Sequence, residues 1–252
     1  MFTHTELMMK LKDFRLSGMG NHFFELAKRA EQEKLTYEQY LSLLVEKEIS
    51  TRNTNRTNRL LLSAKIPVLK TIEEFNFAPV DGITKTEWQE LAKGEFIKAK
   101  TNLVFFGLFG VGKTHLSTSL LVEFCKKGIS CLFTSTHKLI QEMLQAKENL
   151  TLNQLFKKLD RYDVILFDEL GYVPQSEDGG NLFFQLISDR SERKSIIITT
   201  NLTFSEWDKV FSNKLSTAAA IERVLHKSKV FNLRGPTQRK PENVKNNLML
   251  TQ

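Results

Sequence analysis

Apolar positions recur with helical spacing through the first sixty or so residues. Leu7, Leu11 and Phe14 fall at i, i+4 and i+7, and Phe23, Ala27 and Ala30 repeat the pattern. The intervening Ser17-Gly18-Met19-Gly20 is expected to break the helix. Thr36 followed by Gln39 matches a capping box, after which Tyr37, Tyr40, Leu41, Leu44, Val45 and Glu48 keep helical spacing. Residues 1–62 are therefore expected to form a small helical domain. Past Ile49 the stripe fades into STRNTNRTNR, where Arg52, Arg56 and Arg59 would share one face of a continuing helix. Such a face is commonly just solvated, and it is also the right geometry for nucleic-acid phosphates. The helical pattern stops near Pro67, and Pro79, Asp81 and Gly82 add turn signals, so 63–82 reads as a linker.

From residue 83 the period changes. Unalternating apolar runs at Asn102–Gly107, Cys131–Thr134, Asp163–Asp168 and Ser195–Thr200, with a weaker one at Val230–Leu233, are separated by helical stretches. That alternation predicts an α/β domain over 83–252, a buried parallel sheet of five strands with helices on both faces.

Composition narrows the partners. The 252 residues carry 36 Lys+Arg against 29 Asp+Glu, a formal charge of +7. The excess sits in two places, +5 over Ile49–Ile72 and +6 over the tail Arg223–Gln252, leaving −4 on the rest. Two basic stretches on an acidic body permit a polyanionic partner. Cys125 and Cys131 form neither a disulfide framework nor a zinc spacing, so a reducing cytoplasm is expected. MFTHTELMMKLKDF lacks the apolar core of a leader, and no run approaches the ~18 apolar residues of a membrane span. No membrane partner is expected.

The chemistry is carried by three strand ends. Gly107-Leu-Phe-Gly110-Val111-Gly112-Lys113-Thr114 matches G-x-x-x-x-G-K-[ST], the phosphate loop, between an apolar strand and a helix as that motif requires. Its glycines let backbone N–H groups wrap phosphates, and the helix N-terminus adds the positive end of its dipole. The expected nucleotide set is Gly107, Gly110, Val111, Gly112, Lys113, Thr114 and the adjoining His115. Lys113 is placed on the β- and γ-phosphates and the Thr114 hydroxyl on Mg²⁺. Asp168 and Glu169 end the third run, at the sheet edge where open α/β folds bind ligands. Asp168 would hold Mg²⁺ and Glu169 would polarise a water, a pairing that favours hydrolysis over phosphoryl transfer to an acceptor. Asn201, after Ser195-Ile-Ile-Ile-Thr-Thr200, could bridge that water and the γ-phosphate, or simply cap the Thr203-Phe-Ser-Glu206 turn.

The order of phosphate loop, DELGY, TTN, SEWDKVF and IERVLHKSKVFNLRG resembles the IstB family, AAA+ ATPase helpers of insertion-sequence transposition, and the related DnaC helicase loaders. The IstB likeness is the closer, through GKTHLS, FDELGY, FSEWDKVF and IERVLHKS, and it covers nearly the whole chain. It implies an AAA+ core using ATP and Mg²⁺, with Lys113 and Thr114 in the first nucleotide motif, Asp168 and Glu169 in the second, and Asn201 as first sensor. Arg223 matches the arginine finger that reaches a neighbouring subunit, which implies a homo-oligomer assembled through ATP sites. Phe75 and Phe77 fall where the family's linker meets adenine, although a Phe in such a place is more often simply core. Two departures stand out. Leu108-Phe109 replaces the two prolines of the family's usual loop, and FNLRGPTQRK leaves Arg234 and Arg239 as alternatives for the second sensor. The resemblance implies a DNA-binding, ATP-hydrolysing regulator that assembles on duplex target DNA and recruits or stimulates a transposase through its N-terminal helices. No nuclease-like carboxylate cluster is evident, so cutting and joining fall to that transposase. A DnaC-like loader gripping a hexameric helicase is the alternative. A passive DNA-binding scaffold and a small-molecule kinase are readings from other classes.

Overall fold

The computed structural model describes residues 2–171, 175–190, 193–207, 221–222 and 224–238. The chain divides into two compact units, Met1–Arg59 and Leu60–Gln252.

The first unit is built from α1 (His4–Asp13), α2 (Ser17–Gln32) and most of α3 (Tyr37–Ser63). The Thr36/Gln39 capping box forms: Gln39 Oε1 accepts the Thr36 N–H at 2.8 Å, and Thr36 Oγ1 accepts the Gln39 N–H at 3.2 Å. Phe23, Leu26 and Leu44 make the core, with Met8, Leu11 and Tyr40 against them. Ser17-Gly18-Met19-Gly20, expected to break the helix, instead opens α2, and the chain turns at Phe14–Leu16, where Arg15 adopts a φ of 58°. Gly18 serves a close approach: a Cβ there would lie 2.7 Å from the Glu48 Cα of α3. Phe14, read as part of the α1 stripe, lies past the helix end and is exposed. Glu48 is buried, with Oε2 accepting the Met19 N–H at 3.1 Å and Oε1 accepting Arg52 Nε at 2.7 Å. Burial pushes its carboxyl up, yet these bonds and the Gly18 N–H together outweigh burial and hold it below the usual carboxylate value.

The second unit holds a five-stranded sheet of β1 (Asn102–Gly107), β2 (Cys131–Ser135), β3 (Val164–Leu170), β4 (Ser195–Thr200) and β5 (Ser228–Leu233). The order is β2-β3-β4-β1-β5, with every pair parallel. The strand runs do not alternate because both faces are covered. Val104, Ile165, Phe167, Ile196 and Ile198 face a cluster with α7 (Thr136–Glu148), α8 (Leu152–Leu159) and α9 (Glu177–Arg190). Leu103, Phe105, Val164, Leu166 and Ile197 face the other, with α4 (Lys85–Ala92), α5 (Glu95–Lys98) and α6 (Lys113–Lys126). Within 63–82, expected as a linker, Ala64, Phe75 and Val80 are buried in this second cluster. The Ala64 carbonyl also accepts the Phe133 N–H at 2.7 Å, satisfying part of the open edge of β2.

Arg190 is 1% exposed and ties α9 to the end of α8, donating to the Leu159 and Tyr162 carbonyls at 3.0 and 2.9 Å. Burial depresses its pKa to about 10, against the opposing pull of Asp160. Among the described residues no helix is long and apolar enough to cross a membrane.

Candidate functional site

The carboxyl ends of β1, β3 and β4 open on one cavity of about 590 Å³, lined by Lys113, Thr114, His115, Asp168, Glu169 and Asn201 among others. A volume of this order suits a cofactor-sized ligand, and the position is where parallel sheets bind them. Three sequence runs separated by up to 88 residues are thereby brought to one wall.

The phosphate loop turns from β1 into α6. Gly112 caps that helix with a φ of 104°, and a Cβ there would sit 2.5 Å from the Phe75 ring, so both backbone conformation and packing require glycine. Lys113 Nζ donates to the Gly107 and Leu108 carbonyls at 2.7 and 2.9 Å, which holds the ammonium over the loop. Val111 is 1% exposed and packs into the core, so only its backbone can serve a ligand. Leu108 and Phe109, the two departures from the family pattern, are exposed.

β3 ends in a bulge. Its register against β4 shifts between Phe167 and Leu170, and Glu169 takes a φ of 57°, unusual for a residue with a side chain. The consequence is a split of roles: Asp168 is 6% exposed, whereas Glu169 is exposed on the cavity wall. Asp168 Oδ1 accepts the Thr199 hydroxyl at 2.5 Å and the Thr114 hydroxyl at 3.0 Å, and its carbonyl accepts the Thr136 hydroxyl at 3.1 Å. Burial raises the Asp168 pKa, and the two hydroxyl bonds and the Lys113 charge offset this only in part.

The Thr114 hydroxyl and Asp168 carboxylate are thus adjacent hard oxygen donors at the cavity floor, a fit for Mg²⁺. Among the described residues no group of three or more His, Cys, Asp or Glu could hold a metal alone. A Mg²⁺ there would need phosphate and water oxygens as well, which is its usual coordination in nucleotide sites.

Some wall residues were not anticipated. Lys70 and Glu74 line the cavity. Of the two readings of Phe75, adenine contact or core, its burial fits the core, and its ring lies 4.8 Å from Phe77 and 5.2 Å from His115. His115 Nε2 lies 2.7 Å from the Thr71 carbonyl, tying α6 to this segment. Gln238 crosses the phosphate loop, donating from its backbone to the Gly110 carbonyl at 2.9 Å and from its amide to the Asn76 carbonyl at 3.0 Å. Its distance in sequence from the loop hides this. Arg234 exchanges backbone hydrogen bonds with Asp81 and is not among the cavity residues. Arg223 and Arg239 lie outside the described residues. In the first unit, Arg52, Arg56 and Arg59 all lie on α3; Arg52 is engaged by Glu48 and by the Arg15 carbonyl at 3.0 Å.

A parallel sheet ordered β2-β3-β4-β1-β5, with a phosphate loop after β1 and an acidic pair ending β3, is the AAA+ P-loop fold. Solved structures carry the same fold. DnaI superposes with a TM-score of 0.55 at 21% identity, covering 68% of this chain and 90% of that one. AMPPCP-bound DnaA from Aquifex aeolicus gives 0.54 at 20%, covering 71% and 54%.

The sequence places the chain within that class. Residues 9–246 match the model of the IstB-like ATP binding protein family, to which the chain belongs. It is 31% identical to the predicted ATP-binding protein of insertion sequence IS21 from Pseudomonas aeruginosa, over 94% of this chain and 89% of that protein. The predicted insertion-sequence ATP-binding protein y4iQ/y4nD/y4sD of Sinorhizobium fredii is 34% identical over 90% of this chain and 76% of its own length. The IS232 counterpart in Bacillus thuringiensis is 32% identical over 94% and 95%.

Proposed function

We propose that the protein is an ATP-hydrolysing, DNA-binding regulator of insertion-sequence transposition, acting as a homo-oligomer on duplex DNA in the cytoplasm. The observation that carries this reading is the convergence of Lys113, Thr114, Asp168, Glu169 and Asn201 on one cavity. In it Lys113 leaves the loop carbonyls for the β- and γ-phosphates, and loop N–H groups hold the remaining oxygens. Thr114 and Asp168 hold Mg²⁺, which when bound neutralises phosphate charge. Glu169 accepts a proton from the attacking water, and Asn201 orients that water toward the γ-phosphate. Arg223 of one subunit stabilises charge in the site of the next, so hydrolysis depends on assembly.

The relatives' insertion-sequence setting supports a transposase as partner, met by the helical unit 1–62, with 63–82 joining it to the ATPase part. The DnaC-like loader reading rests on fold likeness alone. The test is particle size and duplex binding with and without ATP, for wild type, Lys113→Ala and Arg223→Ala. ATP-dependent assembly on duplex that both substitutions abolish is expected. A monomer that binds duplex equally well without ATP would overturn the reading. Pull-downs with the transposase and with a replicative helicase then separate the two partner classes.

A further inference from the structure

Thr199 stands where β3 leaves its ladder. Phe167 pairs with Ile198 and Leu170 with Thr200, so Asp168 and Glu169 together oppose the single residue Thr199. A bulge of this kind takes a backbone N–H out of the ladder, and a buried N–H must find another acceptor. Here the acceptor is a side chain. Thr199 Oγ1 takes the Glu169 N–H at 2.9 Å and, being a hydroxyl, also donates to Asp168 Oδ1 at 2.5 Å. Thr199 is buried beneath the wall of the nucleotide cavity, which it helps to line. The neighbouring hydroxyls each hold one part of the turn: Thr114 the Asp168 carboxylate, Thr136 the Asp168 carbonyl and Thr200 the Leu170 carbonyl. Thr199 links the buried carboxylate to the backbone that carries the exposed one.

We propose that Thr199 is a positioning residue, whose hydroxyl locks the Asp168-Glu169 bulge so that Glu169 faces the nucleotide cavity while Asp168 stays beneath Thr114. This rests on the reading of Glu169 as the water-activating base. Valine has the same shape but neither donates nor accepts, and serine keeps the hydroxyl.

The experiment compares Thr199→Val and Thr199→Ser, alone and with Glu169→Gln, in the full chain with Mg²⁺ and duplex DNA. The readouts are steady-state ATP hydrolysis, binding of a fluorescent non-hydrolysable ATP analogue, and amide exchange over 164–171. Thr199→Val should lower kcat by about tenfold or more while analogue Kd moves by less than about threefold. Thr199→Ser should stay within about threefold of wild type in both. Added to Glu169→Gln, Thr199→Val should change the residual rate by less than about twofold, because the group it positions is already disabled. Exchange over 164–171 should quicken in the valine variant and not in the serine variant. Wild-type kcat in Thr199→Val, a serine variant as slow as the valine one, or an undiminished loss on the Glu169→Gln background would each overturn the proposal. Should valine not fold, Thr199→Ala serves the same arms. If wild type hydrolyses no ATP, the proposed function fails on its own, and unchanged exchange in the valine variant then overturns the lock.

Discussion

Replacing Asp168 by Asn should stabilise the empty protein while removing its response to magnesium. The side chain is 6% exposed and its pKa is raised by burial, so the charged form is disfavoured in the fold. The sign follows from proton linkage. The folded protein holds this proton more tightly than the unfolded chain, so the penalty is full at neutral pH. It is relieved as pH falls through the raised folded value toward the ordinary 3.8. Asn makes that relief permanent and can still accept both threonine hydroxyls at Oδ1. Single stabilising substitutions commonly yield about 0.5–2 kcal/mol, and at about 2–4 °C per kcal/mol for chains near this size Tm should rise by about 1–8 °C. In wild type, Mg²⁺-ATP at a hundred times Kd should add about 2.7 kcal/mol, or about 5–11 °C. Asp168→Asn removes the negative charge and turns the second carboxylate oxygen into an amide NH2, a poor ligand for a hard cation, so the increment from adding Mg²⁺ to ATP should vanish. Thermal unfolding monitored without ligand, with ATP, and with ATP plus Mg²⁺ reads every arm. A variant melting several degrees below wild type without ligand would show that the Asp168 charge is not a burden on the fold, and one keeping the full Mg²⁺ increment would show that Asp168 does not hold the ion.

Glu48→Gln places an amide where two donors converge and should cost the helical unit about 1–3 kcal/mol in urea unfolding. Because the folded Glu48 pKa is lowered, its contribution should be full above the ordinary 4.5 and fade as pH falls through the lower folded value, a dependence absent in the Gln variant. Arg190→Ala leaves two carbonyls unpaired between α8 and α9 and should cost about 2–4 kcal/mol, measured the same way; a loss below about 1 would show that water replaces the guanidinium. Replacing Arg52, Arg56 and Arg59 by Ala should weaken duplex binding across all sequences and flatten its salt slope by up to about 3. An unchanged slope would return these arginines to a solvated face.

The strands, the phosphate loop and the acidic pair were legible because each is local: a short apolar run, a glycine spacing, two carboxylates at a run's end. The helix start at Ser17 was misread for a local reason too. Gly18 looks like a breaker in one dimension, and its purpose, admitting the α3 backbone, appears only in three. Thr199 and Thr200 read as ordinary strand threonines, since nothing in a run of β-branched residues signals that one of them faces two residues of the neighbouring strand. Gln238 was invisible because its partners, Gly110 and Asn76, are more than a hundred residues away. Phe75 shows the opposite failure: a segment read as linker carries a core aromatic that packs against Gly112, the residue that caps the helix of the phosphate loop.

In the proposed function the cavity hydrolyses ATP through Glu169. Phosphate release by the full chain, with Mg²⁺, ATP and duplex DNA, measured for wild type beside Glu169→Gln, tests it most directly. Wild type should release phosphate and stop when Mg²⁺ is withheld, and the variant should still bind ATP but release at least about a hundredfold more slowly. Equal rates from the two proteins, or no release from wild type on DNA, would contradict it.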